Sequence, residues 1–468
     1  MLTFQENMVQ EILPKWERWT YWVVGINGIF YSWWRVFVEG DALRKTHLHY
    51  GLHKKWSFLD RPYDLTDNEW TEWMINLKLY LILCLIHIAT SQISRLLRFS
   101  VAVRLCGLVL CDLGCLCAFF GYKVVVFFLL KTLLVYVVSQ LGSVAGIWIV
   151  LGAEIVVLTI PGVLKAQDLF IGPATQSGYY SALGFLILKL ISFGVDNAQL
   201  VRKNLQNEKI CVPSETTLNE KKITNTDDIT QPNETTLTGN TNLNFLYLLE
   251  TLLYIFYFPS FNRGPLIRIA DFRLQIKTSF AAAELSPTFL PKNCLNILRN
   301  LMRLVFWMLF MEFSLHYLYF SALALNSVLN KLSFWALLAV GHLAGQFFMI
   351  KYMVIYGFAG QLGRFDGVNP YSEPRCISWI YSYTDMWRYF DVGLYKFITT
   401  YLYLPLGGSR RGLISQLAAS GVVFLFIYLW HGGTRSLFIW CCGNYLVCII
   451  EQFGVAAERS PLGESLVC

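Results

Sequence analysis

Residues Val101–Phe120 read VAVRLCGLVLCDLGCLCAFF, an apolar run with few charges and no proline. A bilayer core takes about 20 apolar residues per helix, so this run has the length and character of a membrane span. Windows of the same kind lie at Tyr21–Val38, Met74–Ile93, Val124–Val138, Ser143–Val163, Tyr179–Phe193, Phe245–Phe258, Leu298–Leu325, Leu332–Tyr356, Leu413–Trp430 and Leu437–Val455. They are long unbroken runs and lack the ten-residue alternation of barrel strands, which predicts an all-α, polytopic membrane protein.

The whole chain agrees with that reading. It has 468 residues, is 55% hydrophobic and 16% aromatic with 15% charged residues, and its mean hydropathy is positive, all outside the soluble range. Of the twelve cysteines, Cys84, Cys106, Cys111, Cys115, Cys117, Cys441, Cys442 and Cys448 lie in apolar runs, where they read as small core hydrophobes and not as a disulfide framework. The net charge of +7 comes mainly from short loops, as orientation signals do, and no basic stripe with interleaved aromatics argues for nucleic acid. The opening stretch MLTFQENMVQEILPKWERW has no small-residue cleavage site after a short apolar run, so no removable signal peptide is expected.

Between the spans, the loop from Glu39 to Trp73 holds His47, His49 and His53. No cysteine or carboxylate pattern completes a metal-ligand set around them, so they read as a solvated loop. Residues 202–244 turn basic and then rich in Thr, Asn, Asp and Glu, which predicts a polar disordered insert on the cytosolic side. Its Asn233 sequon would then escape glycosylation. In FPSFNRGPLIR, Pro259, Gly264 and Pro265 forbid a continuous helix, and irregular backbone at membrane depth must be buried in protein or line a cavity. His316 and His342 stand singly in apolar windows and read as hydrogen-bonded core residues.

Chemistry concentrates in residues 359–433. In MWRYFDVGLYKF, Phe390, Leu394, Phe397 and Tyr401 form one helical stripe and Trp387, Asp391, Tyr395 and Ile398 a neighbouring one, as in a helix lying along the membrane or dipping into it. Asp391 sits on the aromatic flank, where an unpaired charge is expensive; it is either the ion-pair partner of Arg388 one turn earlier or a functional acid. His431 closes the run Leu413–Trp430 and is followed by Gly432 and Gly433, which end a helix and let backbone or substrate approach. A helix C-terminus favours the imidazolium and burial favours the neutral ring, a balance that suits a general base; a core histidine is the alternative.

The segments MWRYFDVGLYKF, YLPLGGS and YLWHGG, with GRFDGVNP and PRC upstream and TDNEWTEW and YFPSFNRGP further off, resemble the membrane-bound O-acyltransferase family, and within it the Hedgehog acyltransferase branch. Members of the wider family usually carry Asn where this chain has Asp391, and a sister group of silent relatives lacks the histidine that this chain keeps as His431. The resemblance implies one transmembrane domain over residues 1–468, a helical bundle with re-entrant segments around a central chamber. It also implies a location in the endoplasmic reticulum membrane, or the Golgi.

It further implies palmitoyl transfer from palmitoyl-CoA to the N-terminal cysteine of a Hedgehog-type secreted protein, in contact with membrane lipids. His431 would be the general base, Asp391 the residue that orients the acceptor, and Trp387 and Arg388 would shape the chamber and bind substrate. Cys376 in PRC matches a cysteine associated with haem b iron in that branch, a reversibly acylated cysteine being the competing reading. A non-catalytic scaffold and a lipid-directed acyltransferase remain the alternatives. Family members continue beyond the histidine through more apolar helices, whereas here one window is followed by the polar AAERSPLGESLVC, so truncated C-terminal helices are expected.

Overall fold

The computed structural model describes residues 14–48, 50–171, 178–210, 241–285 and 293–458. In chain order the helices are α1 (Lys15–Arg44), α2 (Asn68–Leu96), α3 (Val101–Phe120), α4 (Tyr122–Ser139), α5 (Val144–Val157), α6 (Pro161–Ile171), α7 (Tyr179–Ile210) and α8 (Thr241–Phe256). They continue with α9 (Ile269–Leu285), α10 (Cys294–Ser314), α11 (Phe320–Leu325), α12 (Phe334–Gly363), α13 (Tyr383–Phe390), α14 (Val392–Ile398), α15 (Leu413–Trp430) and α16 (Arg435–Glu458). The only strands among the described residues are a two-residue antiparallel pair, β1 (Leu52–His53) and β2 (Tyr63–Asp64).

Among the described residues, eight helices are long and apolar enough to cross a membrane, and nine if a bent pair counts as one span. Val101–Phe120 and Leu413–Trp430 fall where hydropathy placed them. Glycine frames both, Gly121 with φ 86° after α3 and Gly412 with φ 88° before α15. The expected first span differs: α1 is long enough but is not among the eight, since Asn27, Ser32, Arg35 and its tryptophans and tyrosines dilute the hydropathy of its apolar run. The window Ser143–Val163 is not one helix, because the chain bends by 92° between α5 and Pro161, which opens α6. The window Leu298–Leu325 breaks after Ser314 in the same way. Helix α7 runs on to Ile210, so the polar insert begins later than residue 202; residues 211–240, with Asn233, lie outside the described residues.

The described chain forms two compact units. One comprises Met1–Ile75, Arg299–Val354 and Pro374–Trp379. Its centre is Glu312 of α10, 2% exposed, which accepts hydrogen bonds from Tyr63 Oη (2.7 Å), Trp70 Nε1 (2.8 Å) and Lys55 Nζ (2.5 Å). A carboxylate buried at this depth is stabilised by such charge-assisted donors. His316 is fully buried here with Nδ1 3.1 Å from the Arg61 carbonyl, the core role expected of it. His342 likewise accepts from Trp33 Nε1 at 3.2 Å.

The other unit comprises Asn76–Leu298, Ile355–Glu373 and Ile380–Cys468, and its core gathers α2 to α5, α7 to α9 and α14 to α16. The interrupted segment after α8 behaves as membrane physics requires: Phe258 to Ile267 is buried apart from the half-buried Asn262. Its backbone is satisfied from side chains, Tyr80 Oη donating to the Pro259 carbonyl (2.7 Å) and Tyr254 Oη to that of Ile267 (2.9 Å).

Candidate active site

The helix expected through Asp391 is in fact two. α13 starts at the Ser382 cap, whose Oγ accepts from Asp385 N (3.2 Å), and ends at Phe390. Asp391 then takes an extended conformation (φ −125°, ψ 90°), and its own Oδ1 accepts from Leu394 N (2.8 Å) to start α14. Aspartate is among the best residues for this, because its short carboxylate satisfies an amide that the first helical turn leaves open. The apolar stripe continues across the joint, which hides the break from periodicity. Gly393 makes the joint possible: a Cβ there would overlap the carbonyl oxygen of Leu266, so the irregular segment after α8 packs directly on the start of α14.

The other carboxylate oxygen of Asp391 accepts from Tyr356 Oη on α12 (2.9 Å). Burial raises the Asp391 carboxyl above the ordinary carboxylate range, opposed by the Leu394 amide, the Tyr356 hydroxyl and the Gly393 amide. Asp391 lines a cavity of about 160 Å³ with Tyr356, Gln361, Arg364, Tyr371, Glu373 and Gly393 among its walls. Ligand pockets usually measure about 300–1,000 Å³, so this cavity is a small one.

The expected ion pair is not formed. Arg388 bonds Asp385 Oδ1 (3.2 Å), three residues back on α13, and its guanidinium lies 5.9 Å from the rings of Tyr389 and Tyr395. Its side chain is 44% exposed, so Arg388 does not explain why Asp391 is an acid. Trp387 packs edge-on against Phe424 of α15 and Trp440 of α16, at 5.3 and 5.5 Å.

His431 caps the C-terminal end of α15 with φ −84° and ψ 11°, and its backbone amide bonds the Ile427 carbonyl (3.0 Å). Gly432 (φ 92°) and Gly433 (φ 66°) follow in the left-handed region and turn the chain sharply away. A Cβ on Gly433 would come within 3.1 Å of Thr159. The residue is exposed and its ring meets that of its neighbour Trp430 edge-on at 4.5 Å; the burial expected of it is therefore absent, and a core-histidine role does not apply. Trp430 is itself fixed by Nε1 donating to the Gly184 carbonyl (3.0 Å). His431 is not among the residues lining the Asp391 cavity, so His431 and Asp391 are two separate features of the same unit.

Comparison with known proteins matches residues 181–458 to the model of the membrane-bound O-acyltransferase family, a stretch that includes α7, the broken segment, Asp391 and His431. The chain belongs to that family. It is 28% identical over 447 residues to the mouse protein-cysteine N-palmitoyltransferase HHAT, covering 94% of this chain and 81% of that one. It is 31% identical over 208 residues to Drosophila melanogaster protein-cysteine N-palmitoyltransferase Rasp, 44% of this chain and 39% of that one. To the membrane-bound O-acyltransferase gup1 of Schizosaccharomyces pombe it is 26% identical over 269 residues, 56% of this chain and 41% of that one. The chain is thus a multi-pass membrane protein of an acyltransferase family, and acyl-CoA is the family's acyl donor.

Cys376 lies in the other unit, a half-buried thiol just before a 3-10 turn. A haem needs a flat apolar slot beside its thiolate. The side chains that follow are instead packed onto α12: Ile377 Cδ1 would lie 2.8 Å from a Cβ on Gly345, and Ser378 Oγ accepts from Gln346 Nε2 (2.5 Å). Nothing in this packing supports a haem at Cys376, and no step involves one. Among the described residues no group of His, Cys, Asp and Glu side chains is arranged to hold a metal ion, and His49 lies outside them.

One buried cluster escaped the sequence reading. His87, Asp112 and Asp366 come from α2, α3 and the turn after α12, positions 25 to 279 residues apart. The only sequence signal was the presence of a histidine and an acid inside apolar windows.

Proposed function

We propose that the chain transfers palmitate from palmitoyl-CoA to the N-terminal cysteine of a Hedgehog-type secreted protein, in the endoplasmic reticulum or Golgi membrane. In this reading it acts as one domain over residues 1–468, with residues 359–433 as the catalytic region. The observation that carries it is Asp391: an acid held by a helix joint at a small polar cavity, with Arg388 turned to Asp385, in a chain similar along 94% of its length to a protein N-palmitoyltransferase.

The chemistry follows from the groups present. An amine arrives as ammonium and must lose a proton before it can attack. The Asp391 carboxylate attracts that cation and holds the acceptor end in the cavity, while Trp387 and Arg388 shape the approach. That first proton is released to solvent, and His431 accepts the second as the neutral nitrogen attacks the thioester carbonyl. The C–N bond forms, the C–S bond breaks, and the proton returns through His431 to the departing CoA thiolate. If the cysteine thiol is acylated first, the acyl group passes from sulfur to the same nitrogen and the final amide is identical. A small cavity of about 160 Å³ is in keeping with recognition of a chain end.

The test offers the purified protein radiolabelled palmitoyl-CoA together with an N-terminal-cysteine Hedgehog peptide and a lysophospholipid. Label is expected in the peptide. Label in the lysolipid would instead indicate a lipid-directed acyltransferase, and label in neither a scaffold.

A further inference from the structure

The motif GRFDGVNP, residues 363–370, has no part in the chemistry above, yet it holds the most deeply buried acid of the region. Asp366 is 1% exposed and ends the single 3-10 turn, Arg364–Asp366, that follows α12. His87, fully buried in α2, lies between two carboxylates, Nε2 at 2.6 Å from Asp366 Oδ2 and Nδ1 at 2.5 Å from Asp112 Oδ1. Where both carboxyls are ionised they only accept, so each ring nitrogen donates and the ring is an imidazolium between two acids. Lys189 of α7, 2% exposed, lies within electrostatic reach of Asp112. Tyr257 Oη donates to the same Asp366 oxygen as His87, at 2.7 Å.

Removing one partner of such a set leaves a buried charge uncompensated, so the set holds its members in one arrangement. What it holds is the strap from Arg364 to Glu373. Gln92, one turn beyond His87 on α2, donates from Nε2 to the Phe365 carbonyl (2.8 Å). Gly367 turns with φ 82° against Ser279, leaving no room for a side chain, and Gln275 Oε1 accepts from Asn369 N (2.6 Å). From there Pro370, Tyr371, Ser372 and Glu373, with Arg364, line the same cavity as Phe390, Asp391, Val392 and Gly393.

We propose that His87 and Gln92 are positioning residues for acyl transfer: acting through Asp366 and Phe365, they fix the strap that lines the acceptor cavity together with Asp391. Neither touches substrate. The catalytic consequence rests on the acceptor reading of that cavity, whereas the anchoring of the strap does not.

Three variants test this: Asp366→Ala, Asp366→Asn and Gln92→Leu. Asparagine at 366 keeps a carbonyl oxygen that can accept from His87 and Tyr257 but removes the charge, so it is the partial-rescue variant; Gln92→Leu loosens the strap without disturbing the buried charges. In Asp366→Ala and Gln92→Leu, hydrogen exchange over residues 364–373 is expected to rise and the acceptor-peptide KM to increase on the order of 10-fold, the scale of a slightly misplaced binding group. Palmitoyl-CoA KM stays within about twofold of wild type, and Asp366→Asn falls between wild type and Asp366→Ala in both respects. Unchanged exchange in Gln92→Leu and in any folded Asp366→Ala overturns the anchoring. Raised exchange with an unchanged acceptor KM, or with both KM values rising together, overturns the positioning role. If wild-type protein acylates no peptide, the acceptor reading fails, while the exchange result still decides the anchoring.

Discussion

Replacing Asp391 by Asn separates its structural duty from its chemical one. The structural duty is small and transferable. Asparagine is as good an N-cap as aspartate, so the 2.8 Å bond from Leu394 N is kept. The Tyr356 hydroxyl, 2.9 Å from the other oxygen, can turn to accept from the new amide instead of donating to a carboxylate. Arg388 loses nothing, since it is paired with Asp385. The stability change is therefore under about 1 kcal/mol. Its pH dependence has a definite sign. Burial raises the Asp391 carboxyl in the folded state, so the folded protein binds that proton more tightly than the unfolded chain. Wild type consequently loses stability as pH rises from the ordinary carboxylate value through the raised one, and the Asn variant does not. The difference should grow in favour of Asn across that window and level off above it. Activity should move the other way: without the carboxylate the acceptor ammonium has no counter-charge, and transfer falls by about 10²- to 10³-fold, the usual scale for one preorganised electrostatic group. Detergent-solubilised yield, thermal melting across the acid range and initial rate with palmitoyl-CoA and peptide measure all three. Low yield combined with wild-type specific activity in the surviving fraction would refute the reasoning and make the acid a purely structural cap.

His431→Ala should remain in the membrane with normal yield and lose about 10²- to 10⁴-fold in turnover, as general-base removal does; near wild-type turnover in a single-turnover assay would make the histidine structural. Gly393→Ala forces a methyl group into the Leu266 carbonyl and should cost about 1–3 kcal/mol by overpacking, read as a lowered melting temperature. Arg388→Ala removes a solvent-exposed pair and should cost under about 1 kcal/mol. A raised acceptor KM in that variant would place Arg388 on the substrate, and an unchanged one would remove it from the site.

Hydropathy located helices well where glycine or a turn frames the apolar run, as at Gly121 and at Gly412 with His431, because burial and backbone punctuation coincide there. It could not see the bend before Pro161, where apolar residues continue through a 92° change of direction. It also overestimated α1, which has the length of a span but carries polar and aromatic residues that dilute its hydropathy. At the site, the identity of Asp391 and His431 as the unusual residues was readable, since an acid and a histidine in apolar surroundings are costly and few. Their settings were not. The cap at Asp391 lies beneath a stripe that keeps helical spacing, and the choice of Asp385 over Asp391 by Arg388 depends on that hidden break. The cluster of His87, Asp112 and Asp366 was least legible, because three distant helices build it and no local pattern records their meeting.

The central claim is that the acyl group ends on an N-terminal amine. The direct measurement compares two Hedgehog peptides that differ only in N-terminal acetylation, incubated with the purified protein and labelled palmitoyl-CoA, with product scored after treatment that cleaves thioesters and esters. Cleavage-resistant label is predicted on the free-amine peptide alone. Resistant label on the acetylated peptide, or label that the treatment removes from both, would contradict an amide-forming acyltransferase.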